Sequence, residues 1–145
     1  MNGETMEDVK KGLPKKILVV DDNQDNRELV VKVLKNKGYE IIEAVDGEEA
    51  VEKAIAQKPN LILLDISIPK LNGYEVARIL KGKEDFKDIP VVALTAHAMK
   101  GDRVKALEAG FEGYITKPIN VRELPAQVKS FIKGRWESIY DGTKE

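Results

Sequence analysis

The chain contains no cysteine and a single histidine. The first absence excludes a disulfide framework, a thiolate zinc site and a cysteine nucleophile. The second excludes a metal cage built from histidines and argues against a serine–histidine–aspartate centre. Excess of one charge sign is missing too: 24 Lys+Arg stand against 25 Asp+Glu, a formal charge of −1 at pH 7. That balance argues against a basic nucleic-acid-binding face. No apolar stretch approaches the roughly 20 residues that span a bilayer. Acidic residues within Met1 to Val9 precede any apolar run, unlike a secretory signal. What is present is 145 residues, 42% hydrophobic and 34% charged, enough to bury one core. The expectation is one soluble, cytoplasmic domain.

Residues Met1 to Lys15 are polar and end in Gly12-Leu13-Pro14-Lys15, which predicts a flexible leader over 1–15. Ile17-Leu18-Val19-Val20 then runs into Asp21-Asp22-Asn23. A short apolar run closed by turn residues predicts a strand buried on both faces. Leu29, Val30, Val33 and Leu34 recur at helical spacing before Gly38, a stop signal. The unit then repeats. Ile41 to Val45 reads as a strand closed by an ordinary Asp46-Gly47 turn, and Ala50, Val51, Ala54 and Ile55 mark a helix ending before Pro59. Leu61 to Leu64 is the most apolar run and ends abruptly at Asp65; Val76, Ile79 and Leu80 mark the next helix. Val91 to Leu94 ends at Thr95, and Val104 and Leu107 mark a helix stopped by Gly110. Gly113 to Thr116 ends at Lys117-Pro118, and Val121, Leu124, Val128 and Ile132 form the stripe of a last helix closed by Gly134.

Five strands alternating with five helices predict an α/β fold with a parallel, doubly wound sheet. Helical crossovers suit parallel neighbours and are right-handed. Periodicity alone does not order the strands.

In such sheets ligands bind outside the carboxyl ends of the strands. Those ends carry Asp21 and Asp22, Asp65, Thr95 and Lys117. Taken singly, Asp21-Asp22-Asn23 is a turn and helix cap, Thr95 a strand-end residue and Lys117 a solvated lysine. Asp65 resists that reading, because four apolar residues lead straight into its carboxylate. Together they bring three carboxylates, a hydroxyl and an ammonium to one edge. Carboxylates so gathered raise one another's pKa unless a cation offsets them. Oxygen ligands and the lack of thiol or imidazole point to Mg²⁺.

The set Asp21-Asp22, Asp65, Thr95-Ala96 and Lys117-Pro118 resembles the receiver domain of two-component response regulators. The segment Asp65-Ile66-Ser67-Ile68-Pro69-Lys70-Leu71-Asn72-Gly73 is similar to the family's loop after its phosphorylated aspartate. The resemblance runs from about Lys16 to Ile132 and implies a flavodoxin-like sheet of order 2-1-3-4-5 within a receiver of residues 16–133. It also implies that Asp65 takes a phosphoryl group from a histidine kinase or phosphotransfer protein. Asp22 would then bind Mg²⁺ directly, Asp21 mainly through water, and Ser67 through its backbone carbonyl. Lys117, aimed into the cleft by a cis peptide to Pro118, and Thr95 would contact the phosphoryl oxygens. Tyr114 matches the family's switch aromatic, turning inward as Thr95 moves and reshaping the face of helix four, strand five and helix five for a downstream protein target. Ser67 and His97 depart from the commonest choices and would flank the phosphoryl site, where control of water access is their expected effect.

Arg135 to Glu145 fall far short of the roughly 40 residues a domain needs. A tail over 134–145 is therefore expected, with no output domain in this chain. Trp136, Ile139 and Tyr140 either extend the last helix or fray with the tail. The expected protein is a single-domain, chemotaxis-regulator-like switch, not an enzyme with turnover, and binds neither nucleic acid nor membrane. Two other classes remain open. One is a Mg²⁺ phosphatase with an aspartate nucleophile, which usually carries an acid where Ser67 stands. The other is a receiver-like module that binds partners constitutively.

Overall fold

The computed structural model describes residues 14–96 and 100–133. Residues 1–13 of the expected leader, His97, and the tail with Trp136, Ile139 and Tyr140 lie outside the described residues. The strands are β1 (Lys16–Val20), β2 (Glu40–Ala44), β3 (Leu61–Asp65), β4 (Val91–Thr95) and β5 (Gly113–Thr116). Between and after them come α1 (Gln24–Lys35), α2 (Gly47–Gln57), α3 (Gly73–Lys81), α4 (Lys100–Ala109) and α5 (Leu124–Ile132), with a 3-10 turn at Glu84–Phe86. All neighbouring strands are parallel. Their order is β2-β1-β3-β4-β5, as the resemblance implies.

Strand alternation divides the core into two layers. Leu18, Val20, Ile62, Leu64 and Ala93 pack with Ala50, Ala54, Val76, Ala77, Leu80 and Ala106, so α2, α3 and α4 cover one face. Ile17, Val19, Leu61, Leu63, Val92 and Leu94 pack with Val30, Leu34, Leu124 and Val128, so α1 and α5 cover the other. Strands β3 and β4 are buried along their whole length, which is why they read as unbroken apolar runs. The register Val20↔Leu64 and Asp65↔Leu94 brings the central strand ends level.

Several stripe assignments from the sequence need correction. On α4 the expected Val104 and Leu107 are 47% and 62% exposed, while Ala106 and Ala109 face the core. Small residues let this helix lie close to the sheet, so its larger apolar residues point outward. On α1 Leu29 is exposed and Val31 is buried in its place, and Ile55 and Ile79 are also exposed on α2 and α3. Val45 lies outside β2, its N–H donating instead to Glu49 Oε1 at 2.7 Å. Val121 precedes α5 and is exposed. Before that helix starts, Asn120 Oδ1 accepts from the N–H groups of Arg122 (3.0 Å) and Glu123 (3.3 Å).

The loop from Asp65 to α3 is held at both ends. Gly73 N–H donates to Ile66 O at 2.9 Å, and a Cβ on Gly73 would come within 2.6 Å of the Ile66 Cα. Asn72 and Glu75 close a reciprocal capping box on α3. Farther along, Gly47 N–H donates to Pro69 O at 3.1 Å, and a Cβ on Gly47 would overlap the Leu71 carbonyl. The Asp46-Gly47 pair is thus more than an ordinary turn. Asp46 caps α2 through Glu49 N–H and stands 3.6 Å from Lys70 Nζ.

Candidate functional site

Each strand end delivers its side chain to the same edge of the sheet. Among the described residues the buried polar or charged side chains are Asp21, Asp65 and Thr95, each at most 7% exposed. Lys117 joins the two aspartates. Its Nζ donates to Asp65 Oδ2 at 2.7 Å and to Asp21 Oδ2 at 2.9 Å. The second oxygens are held by backbone: Asp65 Oδ1 accepts from Ser67 N–H at 2.8 Å and Asp21 Oδ1 from Asn23 N–H at 2.9 Å. Lys117 N–H in turn donates to Thr95 O at 2.8 Å, and the Lys117–Pro118 peptide is cis.

Carboxylate oxygens of Asp21, Asp22 and Asp65 all lie within 4.8 Å of one another, and Asp22 is exposed. Burial pushes the Asp21 carboxyl above its ordinary value, against the lowering effects of Lys117 and the Asn23 N–H. Burial pulls the Lys117 ammonium down, but its hydrogen bonds and charge contacts with Asp65 and Asp21 outweigh this and leave its pKa raised. Lys117 therefore stays protonated at neutral pH, while burial makes the charged form of Asp21 the costlier one. One ammonium does not offset three carboxylates, so the donor set suits a hard divalent cation such as Mg²⁺. The turn-and-cap reading of Asp21-Asp22-Asn23 is also correct as far as it goes: Asp21 Oδ1 closes the turn on Asn23 N–H, and Asn23 caps α1, its Oδ1 accepting from Asn26 N–H at 2.8 Å.

Tyr114 is half-buried on β5, and the guanidinium of Arg103 lies 4.9 Å from its ring centroid. Tyr114 and Thr95 line a common cavity of about 10 Å³ with Ile66, Ala93 and Ala106. That volume is about the space needed for one water. Sequence reasoning missed Arg27, which reaches the Asp21 carbonyl from α1. Nothing in the helical pattern marks it, because its partners are a strand end and β2. It also missed the tie from Asp46 and Gly47 to the β3–α3 loop, which looks local in the sequence.

A family model for the response regulator receiver domain matches residues 17–129. The chain belongs to that family. Receivers are signalling switches of two-component systems, and this receiver is similar to single-domain members. The polar-differentiation response regulator DivK of Brucella anthropi is 40% identical over 120 residues, covering 83% of this chain and 98% of that protein. The receiver domain of sensor histidine kinase PA1611 from Pseudomonas aeruginosa PAO1, solved with a magnesium ion coordinated in its active-site cleft, has a TM-score of 0.78 at 35% identity, covering 83% of this chain and 99% of that one. Chemotaxis protein CheY4 of Vibrio cholerae has a TM-score of 0.79 at 28% identity, covering 82% of this chain and 99% of that one. Among the described residues no helix is long and apolar enough to cross a membrane.

Proposed function

We propose that this receiver is a cytoplasmic switch that takes a phosphoryl group on Asp65 from a phosphohistidine of a histidine kinase or phosphotransfer protein. The observation that carries this reading is the Lys117 ammonium bridging Asp65 and Asp21 within the three-carboxylate cluster. An Asp65 carboxylate oxygen forms the new bond to phosphorus as the phosphorus–nitrogen bond breaks, and the electron pair stays on the donor imidazole. Ser67 N–H and Lys117 fix the Asp65 carboxylate before attack. Lys117 and the Thr95 hydroxyl then hold phosphoryl oxygens, and positioning and charge compensation supply most of the catalysis.

Asp21, Asp22, Asp65 and the Ser67 carbonyl are the groups that would hold Mg²⁺. When bound, that ion compensates the negative charge that the carboxylates and phosphoryl oxygens share. Tyr114 follows Thr95: their common cavity is too small for a phenol ring, so inward rotation depends on Thr95 vacating space. The phosphoryl group's preference for that arrangement sets how far the population shifts toward a reshaped α4–β5–α5 face, which a downstream protein reads. The unit doing this is residues 16–133, flanked by a leader and a tail. It phosphorylates and slowly dephosphorylates itself and does not turn over a separate substrate.

The test is incubation with a small phosphodonor and Mg²⁺, followed by intact mass measurement. One phosphoryl adduct on the native chain, absent in Asp65→Asn, is the expected result. An adduct that survives in Asp65→Asn overturns the assignment. Turnover of a phosphoester points instead to the phosphatase.

A further inference from the structure

Asp22 presents a problem of placement. Its neighbours in the cluster are gripped, Asp21 by Lys117 and Asn23 N–H and Asp65 by Lys117 and Ser67 N–H. Asp22 is exposed, and among the described residues no hydrogen bond or ion pair holds its carboxylate. The fold therefore fixes only the point from which that carboxylate is presented, through the backbone that carries it and above all the peptide joining Asp21 to Asp22. Strand β1 ends at Val20, so the Asp21 carbonyl lies beyond the ladder.

Arg27 takes up that carbonyl. Its Nη1 donates to Asp21 O at 2.9 Å, while its Nε donates to Glu43 Oε1 at 2.9 Å. The guanidinium is planar and forked, so two fixed acceptors leave it little freedom. It is also largely buried, at 14% side-chain exposure, and Glu43 stands on β2, which pairs with β1. Lys53 Nζ donates to the Glu43 carbonyl at 2.7 Å, tying the same residue to α2. The Asp21–Asp22 peptide is thus anchored through Arg27 to the sheet and not only to its own turn.

We infer that Arg27 is a positioning residue of the acidic cluster: by gripping the Asp21 carbonyl against Glu43, it fixes the point from which Asp22 presents its carboxylate and so the affinity of the site for Mg²⁺. The inference rests on the proposed metal-binding role of the cluster. It assigns Arg27 no contact with the phosphoryl group. Groups that orient metal ligands from behind typically change affinity by about 10–100-fold when removed.

The test is calorimetric titration of Mg²⁺ into the unphosphorylated full chain, with unfolding of each variant followed in parallel without Mg²⁺. Arg27→Ala is expected to weaken Mg²⁺ binding about tenfold. Arg27→Lys, able to reach one acceptor, recovers part of the loss. Glu43→Ala leaves Arg27 with the carbonyl alone and weakens binding by roughly threefold, below the full effect of removing the group. Lys58→Ala breaks an exposed ion pair with Asp85 and leaves Mg²⁺ affinity unchanged. Folded Arg27→Ala with wild-type Mg²⁺ affinity overturns the inference, as does an equal loss in Lys58→Ala. Should Arg27→Ala not fold, unchanged affinity in both Glu43→Ala and Arg27→Lys overturns it. A native chain that binds no Mg²⁺ overturns the reading of the cluster itself, a separately recognisable result.

Discussion

Asp21 and Lys117 face each other with opposite consequences for stability. Asp21 is buried and its carboxyl is raised above the ordinary 3.8, so between that value and its folded pKa the native chain holds a proton the unfolded chain has lost. Its contribution therefore favours the fold more at low pH and weakens as pH rises through that window. Lys117 is raised above 10.5, so its contribution is complete below that pH and lost as pH rises through the folded value. Denaturant unfolding across pH in chelator checks both signs. Asp21→Asn should gain stability relative to the native chain as pH rises from 3.8, and Lys117→Met should lose stability less steeply than the native chain above 10.5, where the raised Tyr39 and Tyr74 still titrate. An opposite slope for either variant sinks the assignment of its titrating group. The individual residues were legible because each ends a strand, but their pairing was not. Lys117 lies far along the chain from Asp21, and only the folded sheet brings them to 2.9 Å.

Helix α3 serves the site by anchoring the far end of the loop whose near end, at Ser67, holds the Asp65 carboxylate. The capping box satisfies N–H groups that the first helical turn leaves open. Removing the Asn72 side chain should cost about 1 kcal/mol in denaturant unfolding. Gly73→Ala should cost more, about 1–3 kcal/mol by overpacking, because its Cβ meets backbone of Ile66 and Asp65 that cannot swing aside. Equal costs for the two would show that the close approach is relieved by loop movement. Sequence patterning found all five helices but placed the stripe of α4 on the wrong side. Val104 and Leu107 have helical spacing, yet Ala106 and Ala109 make the contact. An apolar period shows that a helix has a face, whereas proximity to the sheet selects small residues for it. The start of α5 failed for a different reason: a local Asn120 turn competes with helix at Val121.

For the whole molecule, a cation that binds only the native chain adds RT ln(1 + [L]/Kd) to stability, roughly 2.7 kcal/mol at a hundredfold excess over Kd. Mg²⁺ is therefore expected to raise the melting temperature and a chelator to reverse it. Asp22→Asn, which removes the exposed carboxylate proposed to bind the ion without opening the core, should lose most of the rise. An undiminished rise in that variant removes Asp22 from the ligand set.

The fold class was present in the sequence because strand burial and helix amphipathicity are properties of neighbouring residues. The gathering of Asp21, Asp65 and Lys117 was present too, since a parallel sheet puts every strand end on one edge whatever the order of its strands. That is why the scarcity of histidine and the absence of cysteine pointed toward oxygen ligands before any geometry was known. Periodicity could not yield the β2-β1-β3-β4-β5 order, which came only through the family resemblance. Tertiary structure alone set the Lys117 bridge, the shared cavity of Thr95 and Tyr114, and the grip of Arg27 on the Asp21 carbonyl. Those depend on distances between segments remote in the chain, and no local pattern of polarity encodes them.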